Sequence, residues 1–327
     1  MALTQYREIR VLLVGLGSIG RRHAEVLRGI GCENLACADP SEVSRAEFQK
    51  IVPGAPVYAD FAQALDQFKP EAVFILTPTK LHIPMAIQAV EAGCHVFIEK
   101  PLSYTSEGVE ELKRLAEEKD RKVMVGFCFR YHDALLAAKR RVEAGEIGRV
   151  ISIRALMGEP FYQIHPEYMQ MYYSKYSGAF DLVHDIDLAI WFAGQEIRRV
   201  QGSYGSLSEM GMESPDTVEM LIDFEDRLIA SVHLDFFQTP RRRTIDIIGW
   251  DGVVQVEFAS WDHAELRAYT KASGAWETVE FATERNDMFR AEDMEFLDCV
   301  LEDKPMRLTI AEGLKSVKAV EAIYQLP

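Results

Sequence analysis

The chain has 327 residues, of which 48% are hydrophobic and 27% charged, and its formal net charge is −15. The length predicts two domains with sizeable cores, and the negative charge argues against a broad nucleic-acid-binding surface. No stretch approaches the roughly 18 apolar residues of a membrane span, and the N-terminal residues lack the apolar core of a signal peptide, so we expect a cytoplasmic protein that does not enter a membrane.

The first predicted elements are a strand, a glycine-rich turn, a helix and a second strand that ends on an acid. An apolar run, 11–14, leads into the glycine turn, and a second run, 35–38, ends at Asp39. The first glycine permits a tight turn, the second permits close approach of a pyrophosphate, and the third permits close packing of helix on strand. N–H groups at the start of the helix would face the phosphates of a dinucleotide. The residues assigned to this site are Gly15, Gly17, Ser18, Ile19 and Gly20.

Asp39 and its neighbours bear on the choice of dinucleotide. Its carboxylate lies 19 residues after Gly20, where it can accept hydrogen bonds from the ribose hydroxyls of NAD and repel the 2′-phosphate of NADP. Arg45, with Ser41 and Ser44 nearby, could instead hold that phosphate, although a solvated helix residue is the plainer interpretation. We predict NAD as the cofactor, with NADP as the alternative.

The alternation of strand and helix continues to residue 125 and predicts an α/β Rossmann domain over 1–125. A continuous apolar run, 72–76, is typical of a central parallel strand, and it ends at Thr77 and Pro78. The carboxyl ends of such strands are where open sheets bind ligands. Further strands are predicted at 56–58, 95–98 and 123–125, and helices at 61–68, 84–92 and 106–119.

From residue 126 alternating apolar residues predict an α+β domain over 126–327 with a large, mostly antiparallel, open-faced sheet. Helices are predicted at 134–143, 182–192, 287–300 and 310–324. The last of these is long enough to pack back on the first domain. The run Arg241–Arg243 is the one notable basic cluster. A solvated turn between strands is its plainer interpretation, and a contact with an anion or substrate is the alternative.

Lys100 is the first candidate for chemistry, because it directly follows a predicted parallel strand at the ligand edge. Its ammonium can hydrogen-bond a substrate hydroxyl and stabilise charge on that oxygen during hydride loss. Glu99 beside it could hold the ammonium in place. A surface lysine at the end of a strand is the alternative interpretation.

The second candidate is the segment 178–187. A continuous helix would place Asp181, His184 and Asp185 on one side and His184 beside Asp187. An imidazole with a carboxylate neighbour is a suitable proton acceptor near neutral pH, and a capped helix start with a satisfied histidine is the alternative. A metal site at Asp181, His184 and Asp185 is a weaker alternative, and no metal is expected, because no further His or Cys stands at ligand spacing.

The cysteines point to structure rather than to chemistry. They lie at positions 32, 37, 94, 128 and 299, and no pair has the C-x-x-C spacing of a zinc or redox site. Most of them fall in apolar runs, so we expect reduced and buried thiols.

Several motifs give the chain a resemblance that covers nearly its whole length. They are G-L-G-S-I-G-R-R-H at 15–23, T-P-T-x-L-H at 77–82, A-G-x-H-V-F-I-E-K-P-L at 92–102, V-G-F-x-x-R at 125–130, G-E-I-G at 145–148, H-D-I-D at 184–187 and I-I-G-W-D-G at 247–252. The chain resembles the Gfo/Idh/MocA family, the glucose–fructose oxidoreductase and inositol dehydrogenase group. The resemblance implies NAD(P)-linked oxidation or reduction of a sugar, cyclitol or related polyol. It also implies an open-faced second sheet that commonly pairs subunits.

The resemblance assigns roles to individual residues. Lys100 matches the family lysine that contacts the substrate, and His184 matches the catalytic histidine. Many polyol dehydrogenases of the family carry an aspartate four residues before that histidine, whereas this chain has Phe180 there and Asp181 three residues before. The cofactor residues added in this way are Thr77, Pro78, His82, Glu99 and Lys100. The expected substrate residues are Lys100, Arg130, Tyr162, His165, Asp181 and His184, of which Lys100, Asp181 and His184 are the catalytic candidates.

We therefore predict an NAD-dependent dehydrogenase of a sugar or polyol, with the substrate between the two domains. His184 would take the hydroxyl proton as hydride leaves the substrate. A non-catalytic or regulatory dinucleotide-binding protein is the alternative from another class. An enzyme that recycles NAD within one turnover, for an elimination or hydrolysis, is a third possibility.

A homodimer or homotetramer formed through the second sheet is also expected. Neighbouring residues of a strand point to opposite faces, so the apolar strand residues cannot all reach one core. An apolar sheet face left exposed is a protein–protein surface. The residues on which this expectation rests are Ile151, Ile153, Met220, Ile222, Ile229 and Val232.

Overall fold

A computed structural model describes residues 4–164 and 177–325 of the chain. The chain divides into two compact units, Met1–Cys128 with Asn286–Val317 and Phe129–Arg285 with Lys318–Pro327. This division differs from the predicted boundary at residue 125, chiefly because 286–317 belongs to the first unit. One reason is a β-bridge between Met124 and Thr309, which ties that segment to the first sheet. No helix in the described parts of the chain is long and apolar enough to cross a membrane.

The first unit contains a six-stranded sheet in the order β3-β2-β1-β4-β5-β6. All neighbouring pairs are parallel. The strands are β1 (Val11–Val14), β2 (Leu35–Ala38), β3 (Val57–Tyr58), β4 (Ala72–Ile75), β5 (His95–Glu99) and β6 (Val123–Gly126). Every residue of β1, β2 and β4 is buried, which explains why they appear in the sequence as continuous apolar runs. The predicted α/β Rossmann fold is confirmed.

Helices cover this sheet, and those with a predicted range begin within about three residues of it, whereas α2 was not predicted. They are α1 (Ser18–Gly29), α2 (Glu42–Ile51), α3 (Phe61–Phe68), α4 (His82–Glu91) and α5 (Val109–Glu118), with α9 (Asp287–Leu301) and the first part of α10 (Ile310–Tyr324) from the end of the chain. Asp60 caps α3, because its side chain accepts from the Gln63 N–H at 2.8 Å. All five cysteines are buried free thiols, as predicted.

The second unit is built on an eight-stranded sheet in the order β14-β13-β12-β11-β7-β10-β9-β8. Only the β7–β10 pair is parallel; the other described pairs are antiparallel. The strands are β7 (Val150–Gly158), β8 (Ile197–Gly205), β9 (Thr217–Phe224), β10 (Ile229–Asp235), β11 (Arg242–Gly249), β12 (Gly252–Phe258), β13 (His263–Thr270) and β14 (Trp276–Ala282). The helices are α6 (Asp133–Glu143), α7 (Phe161–Ile164) and α8 (Val183–Ala193).

The structure corrects the expectation that this sheet leaves a broad apolar face uncovered. Ile153, Met220, Ile222 and Val232 are buried within the chain, and Ile229 is 47% exposed. The opposite face is mixed in character, since Leu221, Ser231, Arg154, Asp246, Gln255 and Arg267 form one continuous row across it. Most of the apolar residues share one face because the strand period places them there.

Candidate functional site

Four predicted site residues follow adjacent parallel strands of the first unit. Strands β2, β1, β4 and β5 are consecutive neighbours, and they are followed respectively by Asp39, Gly15, Thr77 and Lys100. Because parallel strands end at the same edge, these residues share the carboxyl edge of the sheet, where open α/β sheets bind ligands.

The three glycines of the first turn differ in the space around them. A Cβ on Gly15, whose φ is +88°, would lie 2.8 Å from the backbone of Leu76, and a Cβ on Gly20 would lie 2.0 Å from the Gly15 carbonyl oxygen. A Cβ on Gly17 would meet nothing within 4 Å. Helix α1 begins directly after Gly17 and has no side-chain cap. The turn is therefore closed behind Gly15 and Gly20 and open at Gly17, which fits a pyrophosphate against the helix N-terminus.

Asp39 is held at this edge by backbone donors. Its carboxylate accepts from the Leu16 N–H at 2.7 Å and from the Ser41 N–H at 2.8 Å. Arg45 is half-buried, and its Nη1 donates to the carbonyls of Asp39 and Pro40 at 2.6 and 3.0 Å, which holds the guanidinium beside Asp39. The carboxylate is thus oriented beside the glycine turn, with lone pairs left for ribose hydroxyls.

We expect NAD to bind more tightly than NADP, and Asp39→Ala to weaken NAD binding about tenfold or more, because a charged acceptor of two ribose hydroxyls is lost. The same variant no longer repels a 2′-phosphate, so the ratio of its affinities for NAD and NADP should be smaller than that of the wild type. Titration of the wild type and the variant with both dinucleotides measures this. Equal affinity of the wild type for both would contradict the role given to Asp39.

His82 joins the loops that follow β4 and β5. It is 1% exposed, and its ring nitrogens lie 2.8 Å from the carbonyl oxygens of Thr77 and Pro101. Both nitrogens therefore face the protein backbone, so His82 braces the ligand edge rather than offering a polar atom to a cofactor. Pro78, by contrast, is exposed, and Thr77 is half-buried.

Glu99 connects Lys100 to a buried cluster that the sequence analysis missed. Its carboxylate accepts from the Lys100 backbone N–H at 2.7 Å and lies 3.6 Å from His23 Nε2. His23 in turn binds Asp293 at 2.9 Å through Nδ1, and both side chains are fully buried. Burial alone would lower the pKa of His23, but Asp293 and Glu99 raise it to about 10. The charged imidazole thereby fixes Glu99, and Glu99 fixes the backbone that carries half-buried Lys100.

Glu292 completes this buried cluster. It is fully buried, and its two carboxylate oxygens have no hydrogen-bond partner among the described residues. Burial raises the pKa of Glu292 well above its usual value, which favours the uncharged form of this carboxyl beside His23. A signal was present in the sequence, since two acids, Glu292 and Asp293, stand among apolar residues of α9.

In the second unit, His184 lies near the start of α8. It is 7% exposed, and its ring centre is 4.8 Å from that of Phe129. The segment 178–187 is not one continuous helix: Gly178–Asp181 is a separate 3₁₀ turn, and α8 begins at Val183, one residue after the predicted start at 182. Gly178 requires the break, since its φ is +71°. Asp181 therefore does not share the face of α8 with His184.

The two aspartates of the H-D-I-D motif form buried ion pairs. Asp185 accepts from Arg243 at 2.7 and 3.1 Å, and Asp187 accepts from Arg130 at 2.6 and 2.8 Å. Arg130 is thus committed to Asp187 rather than presented to a substrate. These two bidentate ion pairs, at Asp185 and Asp187, hold the first turn of α8 in place and with it the imidazole of His184.

The solvated-turn interpretation of Arg241–Arg243 is wrong for two of the three arginines. Arg243 is 2% exposed and pairs with Asp185. Arg241 is largely buried and pairs with Glu159 at 3.2 Å, whereas Arg242 is exposed and pairs with Glu257 at 3.5 Å. Strand β11 begins at Arg242, and the alternation of a strand turns Arg241 and Arg243 to the same side.

The remaining substrate candidates lie in or beside 165–176. Tyr162 is 43% exposed on α7, and its hydroxyl accepts from Gln163 at 2.6 Å. His165 lies outside the described residues.

Family models match most of the chain. Residues 9–127 match the model described as oxidoreductase family, NAD-binding Rossmann fold, and residues 135–255 match the GFO/IDH/MocA C-terminal domain. The chain belongs to the GFO/IDH/MocA oxidoreductase family. Its expected membership, its Rossmann cofactor domain and its assignment as an NAD(P)-dependent oxidoreductase are confirmed. The two alternatives, a regulatory dinucleotide-binding protein and an enzyme that recycles its NAD, are less well supported.

Relatives with known names resemble this family member over most of their length. It is 27% identical to the scyllo-inositol 2-dehydrogenase (NAD(+)) of Bacillus subtilis, over 91% of the chain and 87% of that protein. It is 24% identical to the D-xylose 1-dehydrogenase [NADP(+)] of Haloarcula marismortui, over 97% and 90%. The structure of GenD2 from gentamicin A biosynthesis, in complex with NAD, superimposes with a TM-score of 0.81 at 26% identity, over 98% of this chain and 94% of that one.

Proposed function

We propose that this oxidoreductase is an NAD-dependent dehydrogenase of a sugar, cyclitol or related polyol. The observation that carries the proposal is the placement of Lys100 on the same sheet edge as the open Gly17 turn and Asp39. A relative at 27% identity, named a scyllo-inositol dehydrogenase, supports the class of substrate. The bound nicotinamide ring would supply the hydride acceptor; the residues of the chain supply orientation and proton transfer.

Lys100 orients the reacting hydroxyl and stabilises negative charge on its oxygen. Its backbone is fixed by Glu99, which is itself held by the buried His23–Asp293 pair. A preorganised cation needs little rearrangement as charge develops on the substrate oxygen, and this lowers the barrier.

We propose His184 as the acceptor of the substrate's hydroxyl proton. Its position on α8 is set by Asp185 and Asp187, which are locked by Arg243 and Arg130. The same carboxylates are unavailable as bases because each is engaged by a guanidinium. The imidazole is therefore the proposed base of this segment. Asp181, at the end of the 3₁₀ turn that precedes α8, is the second catalytic candidate here.

We expect His184→Ala to slow turnover by about 10²- to 10⁴-fold, because general-base transfer is lost. The wild-type rate should depend on pH because only the neutral imidazole accepts a proton, and the variant should lose that contribution to the pH profile. Initial rates across pH with a saturating substrate measure both. If His184→Ala kept the wild-type pH profile, another residue would have to be the general base.

A screen of polyols tests the function itself. The protein is mixed with NAD and with inositols, aldoses, uronic acids or sugar phosphates, and NADH absorbance is followed. Sustained turnover on at least one class supports the proposal. The proposal would be contradicted if the protein formed one NADH per chain and then stopped, or if it formed no NADH with any of these compounds.

We also propose that two copies of the chain pair through the mixed face of the second sheet. Leu221 and Ile229 are 46% and 47% exposed there, among charged residues of both signs, such as Arg154 and Asp246, that suit a self-complementary surface.

One chain has a mass of 37.1 kDa. Light scattering at micromolar concentration should therefore give a mass of at least twice that value. Substitution of Leu221 and Ile229 by glutamate should shift the protein toward monomer, because it brings like charges together at the twofold axis. A wild-type monomer would contradict the pairing.

A further inference from the structure

Three arginines of the second unit lie around Trp261, which precedes β13. The guanidinium carbons of Arg241, Arg243 and Arg285 lie 5.2, 5.7 and 5.5 Å from the centre of a Trp261 ring. Attraction to an aromatic ring holds a cation but leaves its N–H donors in need of acceptors. Three cations so close together also repel each other unless anions offset them.

Two carboxylates offset part of this charge. Asp185 binds Arg243 at 2.7 Å and Glu159 binds Arg241 at 3.2 Å, so the three guanidiniums and their two bonded carboxylates carry one surplus positive charge. Burial and the nearby Arg243 lower the pKa of Arg241, which agrees with the excess of cations counted around Trp261.

Donors remain available in this cluster. The Nη1 atoms of Arg241 and Arg243 are buried, and no hydrogen-bond partner for either stands among the described residues. A buried charged donor without an acceptor is costly. The side chain of Arg241 is still 16% exposed and Trp261 is half-buried, so a small anion can reach this group from solvent.

The cluster adjoins the proposed catalytic base. The ring of Phe129 lies 5.6 Å from Trp261 and 4.8 Å from His184, centre to centre. Arg243 stacks on the same phenyl ring at 4.1 Å. A single aromatic side chain, Phe129, thus lies between the Trp261–Arg243 pair and the imidazole of His184.

We propose that Arg241 and Arg285, assembled on Trp261, bind a carboxylate of the substrate, and that the substrate is an acidic sugar of the uronic acid class. One surplus positive charge matches a monoanionic carboxylate better than a dianionic phosphate. The planar fork of a guanidinium also suits the two oxygens of a carboxylate. The proposal rests on the proposed dehydrogenase function, because it assigns the carboxylate to the substrate of that reaction.

Matched pairs of sugars test the charge requirement. Glucose with glucuronate, and galactose with galacturonate, differ only in a CH₂OH group replaced by a carboxylate; glucose 6-phosphate adds a phosphate arm. We expect kcat/KM for at least one uronic acid to exceed that for its neutral partner by about 10- to 100-fold. A preference for the neutral sugars or for the phosphate would overturn the proposal.

The arginine run supplies its own control. Arg241→Gln should lower kcat/KM for the acid about tenfold more than it lowers kcat/KM for the neutral sugar, and Arg241→Lys should restore part of the preference for the acid. Arg242→Gln, at the exposed neighbour paired with Glu257, should change neither substrate. Equal losses on acidic and neutral sugars in Arg241→Gln would overturn the carboxylate subsite.

Calorimetric titration of the NAD-loaded protein separates this proposal from the dehydrogenase function. Binding of the uronic acid requires no turnover, so binding that depends on Arg241 in a protein without NADH production would refute the dehydrogenase alone. Turnover of neutral polyols without any binding of uronic acids would refute the subsite alone.

Discussion

Lys100→Met should lower turnover by about 10²- to 10³-fold or more, because the cation that stabilises the substrate oxygen is removed while the side chain keeps a similar length. The Gly17 turn and Asp39, which hold the dinucleotide, are unchanged, so the affinity for NAD should stay within about threefold. Initial rates on a substrate found in the screen, together with an NAD titration, measure the two effects separately.

Lys113→Met is the matched control, because Lys113 is an exposed lysine on α5. It should leave both rate and affinity unchanged. A Lys100 variant with a near-wild-type rate would refute the role of Lys100, and a variant that loses NAD binding equally would make it a cofactor residue rather than a catalytic one.

Asp187→Ala should destabilise the protein by about 3–5 kcal/mol, because it leaves the buried guanidinium of Arg130 without its partner. Arginine cannot escape the cost by losing its proton. The loss of Asp293 should cost less, since His23 can become neutral. For a unit of this size, the expected loss lowers the melting temperature by roughly 10 °C.

Two controls accompany this measurement. Glu33→Ala breaks the exposed Arg7–Glu33 pair, whose side chains are 58% and 59% exposed, and should change stability by less than about 1 kcal/mol. The double variant Arg130→Met/Asp187→Leu removes both buried charges and should recover most of the stability. An Asp187 variant no less stable than the Glu33 variant would show that the buried pair is not structurally important.

Much of the first unit was predictable because its signals are local. Buried parallel strands produce continuous apolar runs, and the roles of Gly15 and Gly20 follow from a turn closed within a few residues. Asp39 and Lys100 follow their strands directly, so predicting the strands also placed them at the ligand edge. The motifs that carry the family resemblance lie in these same stretches.

The second unit was predicted less completely, because alternation does not say which face of a strand is covered. The pattern predicted strands but overestimated the apolar area left outside, as buried Met220 and Val232 show. The helix predicted over 182–192 is present as α8, but the sequence did not decide whether 178–181 continues it, because a glycine with positive φ is not distinguishable from a helical one in sequence.

Local patterns were enough to predict the cofactor domain, the dinucleotide turn and the positions of Lys100 and His184 at or near element ends. Which charges pair depends on the folded chain, since His23 binds Asp293, 270 residues away, and Asp185 binds Arg243, 58 residues away. A buried charge is tolerated only where a distant part of the chain supplies its partner. No local spacing records that partnership, so the cluster beneath Lys100 and the arginines around Trp261 became visible only in the folded chain.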